Sequence, residues 1–160
     1  MYALAIFLPL IGAVLAGLFG RWLKDIGSQV VTCGAMLLSA LISCFMLSDV
    51  ALDGNVQTIE LFTWIGSGTF EAIWALKLDQ LAAVMVFVVS VVASMVHVYS
   101  IGYMHRDPGI PRFMAYLSLF TFFMLMLVTS DNLLQMFFGW EGVGLCSYFL
   151  IGFWYDRPAA

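Results

Sequence analysis

The sequence predicts an all-α polytopic membrane protein with five transmembrane helices. Of its 160 residues, 63% are apolar and only 10% are charged, whereas a soluble domain averages about 45–50% apolar and about 25% charged residues. Because a membrane-spanning helix needs roughly 20 mainly apolar residues, this content is enough for about five helices. The composition excludes a soluble globular domain. It also excludes a nucleic-acid binder that relies on a basic surface, and the net charge of −4 argues against a polybasic lipid-binding segment.

Five apolar stretches, separated by the charged residues, define the predicted helices. The predicted spans are 1–20, 26–47, 80–103, 113–129 and 133–155, forming one membrane domain over 1–160. The first span has no Lys or Arg before it, and Arg21 and Lys24 follow it, which reverses the charge order of a cleavable signal peptide. We therefore expect this span to be retained. Pro108 and Pro111 predict that the connection running to Arg112 is not helical.

The polar link between the second and third spans predicts a short external hairpin. Residues from Val56 to Trp64 tend to alternate between apolar and polar, and Gly66-Ser67-Gly68 is a turn signal. The pattern resumes from Thr69 to Leu78. Two alternating stretches on either side of a glycine-containing turn are typical of paired antiparallel strands.

The distribution of Lys and Arg predicts how the helices are oriented. With five spans, the first connection, the third connection and the C-terminus share one side, which contains Arg21, Lys24, Arg106, Arg112 and Arg157. The other side has only Lys77. Because cytoplasmic loops carry the excess of Lys and Arg, we expect the N-terminus outside, in the periplasm, and the C-terminus in the cytoplasm.

Glu141 is the principal candidate functional residue because it lies well inside the fifth predicted span. It is eight residues beyond Leu133, about 12 Å along a helix and therefore near the middle of a roughly 30 Å hydrocarbon core. A charge there costs about 2.5–3.5 kcal/mol even on the lenient insertion scale. We expect a carboxyl group that carries protons in a protein or water-filled interior. The alternative is a structural carboxylate that hydrogen-bonds between helices.

Two further residues are weaker candidates for proton transfer. No Lys or Arg lies inside a predicted span, so His97 is the one candidate for a relay to the cytoplasmic side, unless it is simply a satisfied interfacial histidine. Asp131 and Asp79 immediately precede spans, where both are expected to cap helix N-termini. A role for Asp131 at a proton exit is the minor alternative. No Cys/His cluster has metal-ligand spacing, so no metal site is expected.

The stretch from Ser130 to Tyr155 closely resembles the fifth transmembrane helix of the antiporter-like subunit L family of proton-pumping NADH:quinone oxidoreductase (complex I; subunit 5 in mitochondria). Its most specific run is Gly139-Trp140-Glu141-Gly142-Val143-Gly144. Two other runs, Lys77-Leu78-Asp79-Gln80-Leu81 and Arg112-Phe113-Met114-Ala115-Tyr116, also resemble this family, and the similarity extends from Met1 to the end. Related subunits of multi-subunit sodium/proton antiporters share the Trp-Glu pair but usually lack the surrounding glycines.

This resemblance implies that Glu141 is the family's intramembrane glutamate. In the family, this residue pairs with a lysine on a later helix, and protonation of the pair is coupled to distant quinone reduction. The family's subunits contain many more helices, so we expect the chain to be the N-terminal part of a longer subunit. Two alternatives remain, which are a subunit of a multi-subunit sodium/proton antiporter and a purely structural membrane bundle.

The resemblance also implies the partners and the location of the chain. The expected partners are the lipid bilayer, other membrane-arm subunits of complex I and the C-terminal helices of its own subunit, with no nucleic acid. NADH, FMN, iron–sulfur clusters and quinone are expected elsewhere in the complex, so this chain should hold no cofactor. We expect the bacterial inner membrane, with the mitochondrial inner membrane as the alternative.

Overall fold

The computed structural model describes residues 1–68, 70–155 and 157, with only the backbone of Phe70. Along the described chain the elements are α1 (Tyr2–Met46), β1 (Gln57–Ser67), β2 (Phe70–Leu78), α2 (Gln80–Tyr103), α3 (Ile110–Val128) and α4 (Leu133–Ile151). A π-helical turn, Leu47–Leu52, continues α1. Within these residues, four helical stretches are long and apolar enough to cross a membrane, with α1 and its π-helical turn counted as one. Thr69, in the predicted hairpin, lies outside the described residues.

Helix α1 folds back on itself at Lys24. Its 45 residues would measure about 68 Å if straight, but Lys24 has φ 55° and ψ −169° and breaks the helix. The hydroxyl of Ser39 donates a 2.6 Å hydrogen bond to the carbonyl oxygen of Ala5, 34 residues away. The two arms, 2–23 and 25–46, therefore pack against each other in antiparallel fashion. The sequence predicts a connection over residues 21–25 between two helices. In the structure the helix is interrupted at one residue, Lys24.

The ends of the remaining helices differ in part from the predicted spans. Helix α2 occupies 80–103, the residues of the third predicted span. Helix α3 begins at Ile110 rather than 113 because Pro111 lies in the first turn, where a backbone N–H has no helical partner. The prediction that Pro111 lies in a non-helical connection is therefore wrong. Helix α4 begins at Leu133 but ends at Ile151, with turns in place of the expected helix to 155.

The link between α1 and α2 contains an antiparallel hairpin. Strand β1 has 11 residues and β2 has nine, and the two extra residues are accommodated by register shifts between Glu60 and Phe62 and between Thr63 and Ile65. The second shift lies at Trp64, whose ring packs edge-on against Trp74 with centroids 4.9 Å apart. The hairpin thus presents an aromatic cluster to the start of α4, where Phe138 lies 4.8 Å from Trp74.

The hairpin and the N-terminus lie at one end of the helices. The hydroxyl of Tyr2 donates to Asp49 Oδ2 at 2.6 Å, and the N–H of Lys77 donates to the carbonyl oxygen of Thr129 at 2.8 Å. A buried core beneath them joins α1, the hairpin, α2 and α3, and its members are Ile6, Met46, Val50, Leu76, Leu78, Ala83, Val86, Phe122, Leu125 and Met126.

The opposite end gathers the bend of α1, the α2–α3 connection and the end of α4. Its smaller core consists of Cys33, Met104, Ile110, Met114 and Phe153. Five of the six cationic side chains belong to segments at this end, namely Arg21, Lys24, Arg106, Arg112 and Arg157. The five Lys and Arg residues that the sequence predicts on one side of the membrane thus lie at one end of the helices.

Candidate functional site

Glu141 lies in the middle of α4, on the face turned away from the other helices. It follows the first residue of α4, Leu133, by eight positions, or about 12 Å. Its side chain is exposed. Phe137, Leu145 and Tyr148, which lie one or two turns away on the same face, are 61%, 51% and 72% exposed. The structure therefore presents a carboxylate on a largely apolar helix face that no described residue covers.

The opposite face of α4 is held against α3 by two glycines. A Cβ added to Gly139 would lie 2.8 Å from the backbone nitrogen and Cα of Leu127, and one added to Gly142 would collide with the ring of Phe123. A Cβ added to Gly144 would meet no atom of another described element within 4 Å. Gly139 and Gly142 thus permit close contact with α3 rather than access to Glu141, and this contact fixes the outward direction of the Glu141 face.

Asn132, rather than Asp131, caps the N-terminus of α4. The Asn132 side-chain oxygen accepts from the N–H of Gln135 at 3.0 Å, while Asp131 is exposed, so the expected capping role of Asp131 is wrong. Asn132 is the cap because its amide group makes a second hydrogen bond: Nδ2 donates to the carbonyl oxygen of Ile73 at 2.7 Å. A carboxylate can only accept hydrogen bonds. The corresponding expectation for Asp79 is correct, since its Oδ1 accepts from the N–H of Ala82 at 2.8 Å.

Gln135 is a buried polar residue that the sequence analysis missed. It is fully buried, and its Oε1 accepts a 3.1 Å hydrogen bond from the N–H of Ala75 in β2. Its position three residues after Asn132 matches the spacing of a capping box, and this was the available sequence signal. Asn132 and Gln135 together attach the first turn of α4 to the hairpin.

His97 is fully buried between α2 and α3. Its Nδ1 lies 2.7 Å from the carbonyl oxygen of Ala93, and its Nε2 lies 2.9 Å from Ser118 Oγ. A carbonyl oxygen can only accept, so Nδ1 carries a proton, and in the neutral ring Nε2 then accepts from the Ser118 hydroxyl. Both ring nitrogens of the neutral imidazole are therefore hydrogen-bonded. The sequence offered no signal for Ser118 as the partner.

Helix α3 separates His97 from α4. Ser118, which binds His97, and Leu127, which packs against Gly139 of α4, are nine residues apart on α3. Nine residues at 100° each place them on opposite sides of the helix. The structure thus does not bring His97 and Glu141 together.

The end of α4 is tied to the α2–α3 connection through Asp107. The indole Nε1 of Trp154 donates to Asp107 Oδ2 at 2.7 Å, and the N–H of Gly109 donates to Oδ1 at 2.8 Å. Arg157 lies 3.9 Å from the same carboxylate and stacks over the Trp154 ring at 4.4 Å. The pKa of Asp107 lies below its usual range, chiefly because the carboxylate accepts the indole hydrogen bond. Partial burial acts in the opposite direction but is outweighed.

Two family models match the chain. One, described as "NADH-Ubiquinone oxidoreductase (complex I), chain 5 N-terminus", matches residues 64–114, which cover most of the hairpin, α2 and the start of α3. The other, described as "NADH:quinone oxidoreductase/Mrp antiporter, TM", matches residues 130–160, which include α4 and Glu141. The two matches include the runs 139–144 and 77–81 and reach the first three residues of the run 112–116.

Individual relatives match nearly the whole chain. NADH-quinone oxidoreductase subunit L of Rickettsia conorii is 54% identical over 155 residues, which are 97% of this chain and 24% of that protein. NADH-ubiquinone oxidoreductase chain 5 of Marchantia polymorpha is 52% identical, and that of Arabidopsis thaliana is 51% identical, both over all 160 residues and 24% of the relative. The matches confirm the resemblance seen in the sequence, and the chain spans about a quarter of the length of these curated relatives.

Proposed function

We propose that this chain, which is homologous along nearly its whole length to about a quarter of NADH-quinone oxidoreductase subunit L, is the N-terminal membrane part of an antiporter-like complex I subunit. Its role is to supply Glu141 as a proton-carrying carboxyl group to proton translocation coupled to quinone reduction. The observation that carries the proposal is the position of Glu141, halfway along an apolar helix on a face that the described helices leave uncovered.

The energetics of this face favour a functional carboxyl group. A charge at the centre of a membrane-spanning helix costs about 2.5–3.5 kcal/mol, and such residues almost always face a protein interior or a water-filled cavity. Because Gly139 and Gly142 hold α4 against α3, rotation of α4 cannot turn Glu141 toward the described helices without losing that contact. The remaining three quarters of the subunit would then cover the Glu141 face and provide its cationic partner.

The proposed topology has five membrane passes. Each arm of α1 has 22 residues, 2–23 and 25–46, or about 33 Å of helix, which matches a hydrocarbon core of roughly 30 Å. Helices α2, α3 and α4 make the other three passes. The five cations at the end that contains Lys24 favour a cytoplasmic location for that end. The N-terminus and the hairpin then lie on the periplasmic side of a bacterial inner membrane or on the equivalent side of a mitochondrial one.

His97 and Asp131 have secondary places in the proposal. With its imidazole bonded to Ser118, His97 would pass protons along the buried α2–α3 contact, on the far side of α3 from Glu141. Asp131 is exposed at the hairpin end, where a proton exit would open. Both roles remain predictions, and neither is needed for proton transfer by Glu141.

The proposal leaves redox chemistry to other subunits. NADH, FMN, iron–sulfur clusters and quinone would be held elsewhere in the complex, while this chain contacts lipid, neighbouring membrane-arm subunits and the rest of its own subunit. The link between electron transfer and Glu141 would therefore be conformational or electrostatic and would act over a distance.

The test is Glu141→Gln in the full-length subunit within the assembled complex. Glutamine keeps the size and most of the hydrogen-bonding capacity of glutamate but cannot carry a proton. We expect normal assembly and a strong loss of proton pumping by membrane vesicles during NADH oxidation. Glu71→Gln is the matched control, because Glu71 is exposed on β2 outside the helices, and it should pump normally.

Each outcome has a distinct meaning. Unchanged pumping by Glu141→Gln would exclude the proton-carrier role and favour a structural membrane bundle. If pumping is lost in Glu141→Gln and pumping by the unaltered protein depends on sodium, the sodium/proton antiporter alternative is favoured.

A further inference from the structure

A cavity of about 640 Å³ lies between the bend of α1 and the first turns of α3, and Glu141 is not among its lining residues. Its floor includes Ala16, Gly17 and Ala115, and its rim includes Arg21, Lys24 and Arg112. The cavity therefore combines an apolar floor with three cations from two separate helices. None of these residues has a part in the proposed proton transfer.

Small side chains shape the floor of this cavity. A Cβ on Gly20 would lie 2.8 Å from Pro111 Cβ, and one on Gly17 would lie 3.6 Å from Ala115 Cβ. Helices α1 and α3 thus touch at Gly20 and diverge slightly around Gly17, which is exposed. A ligand entering here would contact apolar helix surface below the charged rim.

The rim retains a net positive charge. Asp25 also lines the cavity and offsets one of the three cations. Arg112 is partly engaged, since it donates to the carbonyl oxygen of Phe153 at 3.4 Å and stacks over the Phe153 ring at 4.5 Å. Arg21 and Lys24 are exposed at the rim. The ligand favoured by this arrangement is an anion that also has an apolar portion.

The backbone at Lys24 adds a second observation. Its φ of 55° and ψ of −169° fall in a region that is populated almost only by glycine and costs of order 1–3 kcal/mol for other residues. Strained conformations of this kind cluster at ligand-binding and functional sites. Glycine would adopt the backbone conformation of Lys24 at lower cost. The cationic side chain of Lys24 lies on the cavity rim, and a role there explains why a lysine occupies this position.

We propose that this cavity binds an anionic phospholipid, with the phosphate group on the Arg21–Lys24–Arg112 rim and the upper acyl chain on the apolar floor. Basic pockets between helices at the cytoplasmic side of membrane proteins bind anionic lipid headgroups. The apolar floor distinguishes a lipid phosphate from free phosphate, which would gain nothing from it. This inference rests on the membrane placement of the helices and not on proton transfer at Glu141, so the two proposals can fail separately.

The test measures lipid retention by the full-length protein in its purified membrane complex. Native mass spectrometry would follow binding of phosphatidylglycerol, with phosphatidylcholine as the zwitterionic comparison. Arg21→Gln should weaken phosphatidylglycerol binding about fivefold, the effect of one Lys or Arg near a membrane surface. Lys24→Gly should weaken binding by a similar factor while relieving backbone strain, so loss of folding cannot account for the result.

Two matched variants separate this cavity from general surface charge. Arg106→Gln removes an exposed cation from the α2–α3 connection, outside the cavity lining, and should leave lipid binding unchanged. Gly17→Leu fills the floor without changing any charge and should reduce binding of phosphatidylglycerol. Equal losses in Arg106→Gln and Arg21→Gln, or full binding in Gly17→Leu, would overturn the proposal. Displacement of the lipid by inorganic phosphate alone would also overturn it, in favour of a site for the free anion.

Discussion

Trp154 and Asp107, 47 residues apart, are joined by a 2.7 Å hydrogen bond from the indole Nε1 to the carboxylate. The bond connects the turn after α4 to the turn between α2 and α3. Since α4 packs chiefly against α3, this contact and the glycine contact with α3 together define how the Glu141 helix is held. The α4 helix is thus fixed to the bundle by its ends and by one face, and the described part of the chain leaves its other face uncovered.

Trp154→Phe should loosen the end of α4. Phenylalanine keeps an aromatic ring for Arg157 to stack on but removes the N–H donor, and a hydrogen bond to a charged group contributes about 1.5–3 kcal/mol. We expect faster hydrogen–deuterium exchange in residues 104–109 of the assembled protein. Trp140→Phe is the control, because Trp140 is 68% exposed on α4 and should leave exchange in 104–109 unchanged.

The same contact should respond to acid. The pKa of Asp107 is held below its usual range, first by the Trp154 hydrogen bond. The ionised carboxylate therefore contributes stability that is complete above about pH 4, the pKa of an unfolded aspartate, and is lost as the pH falls through the lower pKa of the folded chain. The protection of the 104–109 amides, corrected for the intrinsic exchange rate at each pH, should therefore fall below about pH 4 in the native protein. This loss of protection should be smaller in Trp154→Phe, and an equal loss in both proteins would contradict the assignment.

Gly139→Ala should destabilise the α3–α4 contact. The added Cβ would lie 2.8 Å from the Leu127 backbone, which cannot move aside as a flexible side chain would, and overpacking of this kind costs about 1–3 kcal/mol. Thermal unfolding of the purified complex would report the loss. Gly144→Ala has free space and should be neutral or stabilising by about 0.5–1 kcal/mol, since alanine favours helix over glycine. Equal effects of the two substitutions would be inconsistent with the described packing.

Asn132→Asp should separate capping from hairpin attachment. Aspartate preserves the cap on Gln135 N–H but cannot donate to the Ile73 carbonyl oxygen, and leaving this partly buried acceptor unpaired costs up to about 1–3 kcal/mol. We expect hydrogen–deuterium exchange to increase in β2, with exchange in the first turn of α4 unchanged. Asp131→Asn, at an exposed neighbour, should change neither segment. Increased exchange in the helix instead of the strand would show that the cap was the more important contact.

Local sequence signals predicted part of this architecture. Asp79 could be recognised as a cap because the cap bond reaches only three residues along the chain, and the glycine-containing turn indicated the hairpin for the same reason. The start of α3 was misplaced because proline was treated as a helix breaker, although it is favoured in a first turn. In the Asp131–Asn132 pair, both residues are good caps, and the deciding hydrogen bond to Ile73 comes from 59 residues away.

The long-range features could not be predicted from one sequence. The partner of His97 is a serine 21 residues away, and the partner of Asp107 is a tryptophan 47 residues away. No local spacing relates such residues, because their contacts depend on how whole helices pack. Glu141 itself was identifiable because a charge within an apolar stretch is costly wherever the other helices lie. The direction that Glu141 faces, however, followed only from the packing of Gly139 and Gly142.

Infrared difference spectroscopy of the resting, assembled complex between acidic and alkaline pH tests most directly whether Glu141 exchanges a proton. The central claim predicts a carboxylic-acid C=O band that appears on acidification in the native protein and in Glu71→Gln but is missing in Glu141→Gln. Identical pH-difference spectra for the native protein and Glu141→Gln would show that Glu141 does not titrate and would contradict its role as a proton carrier.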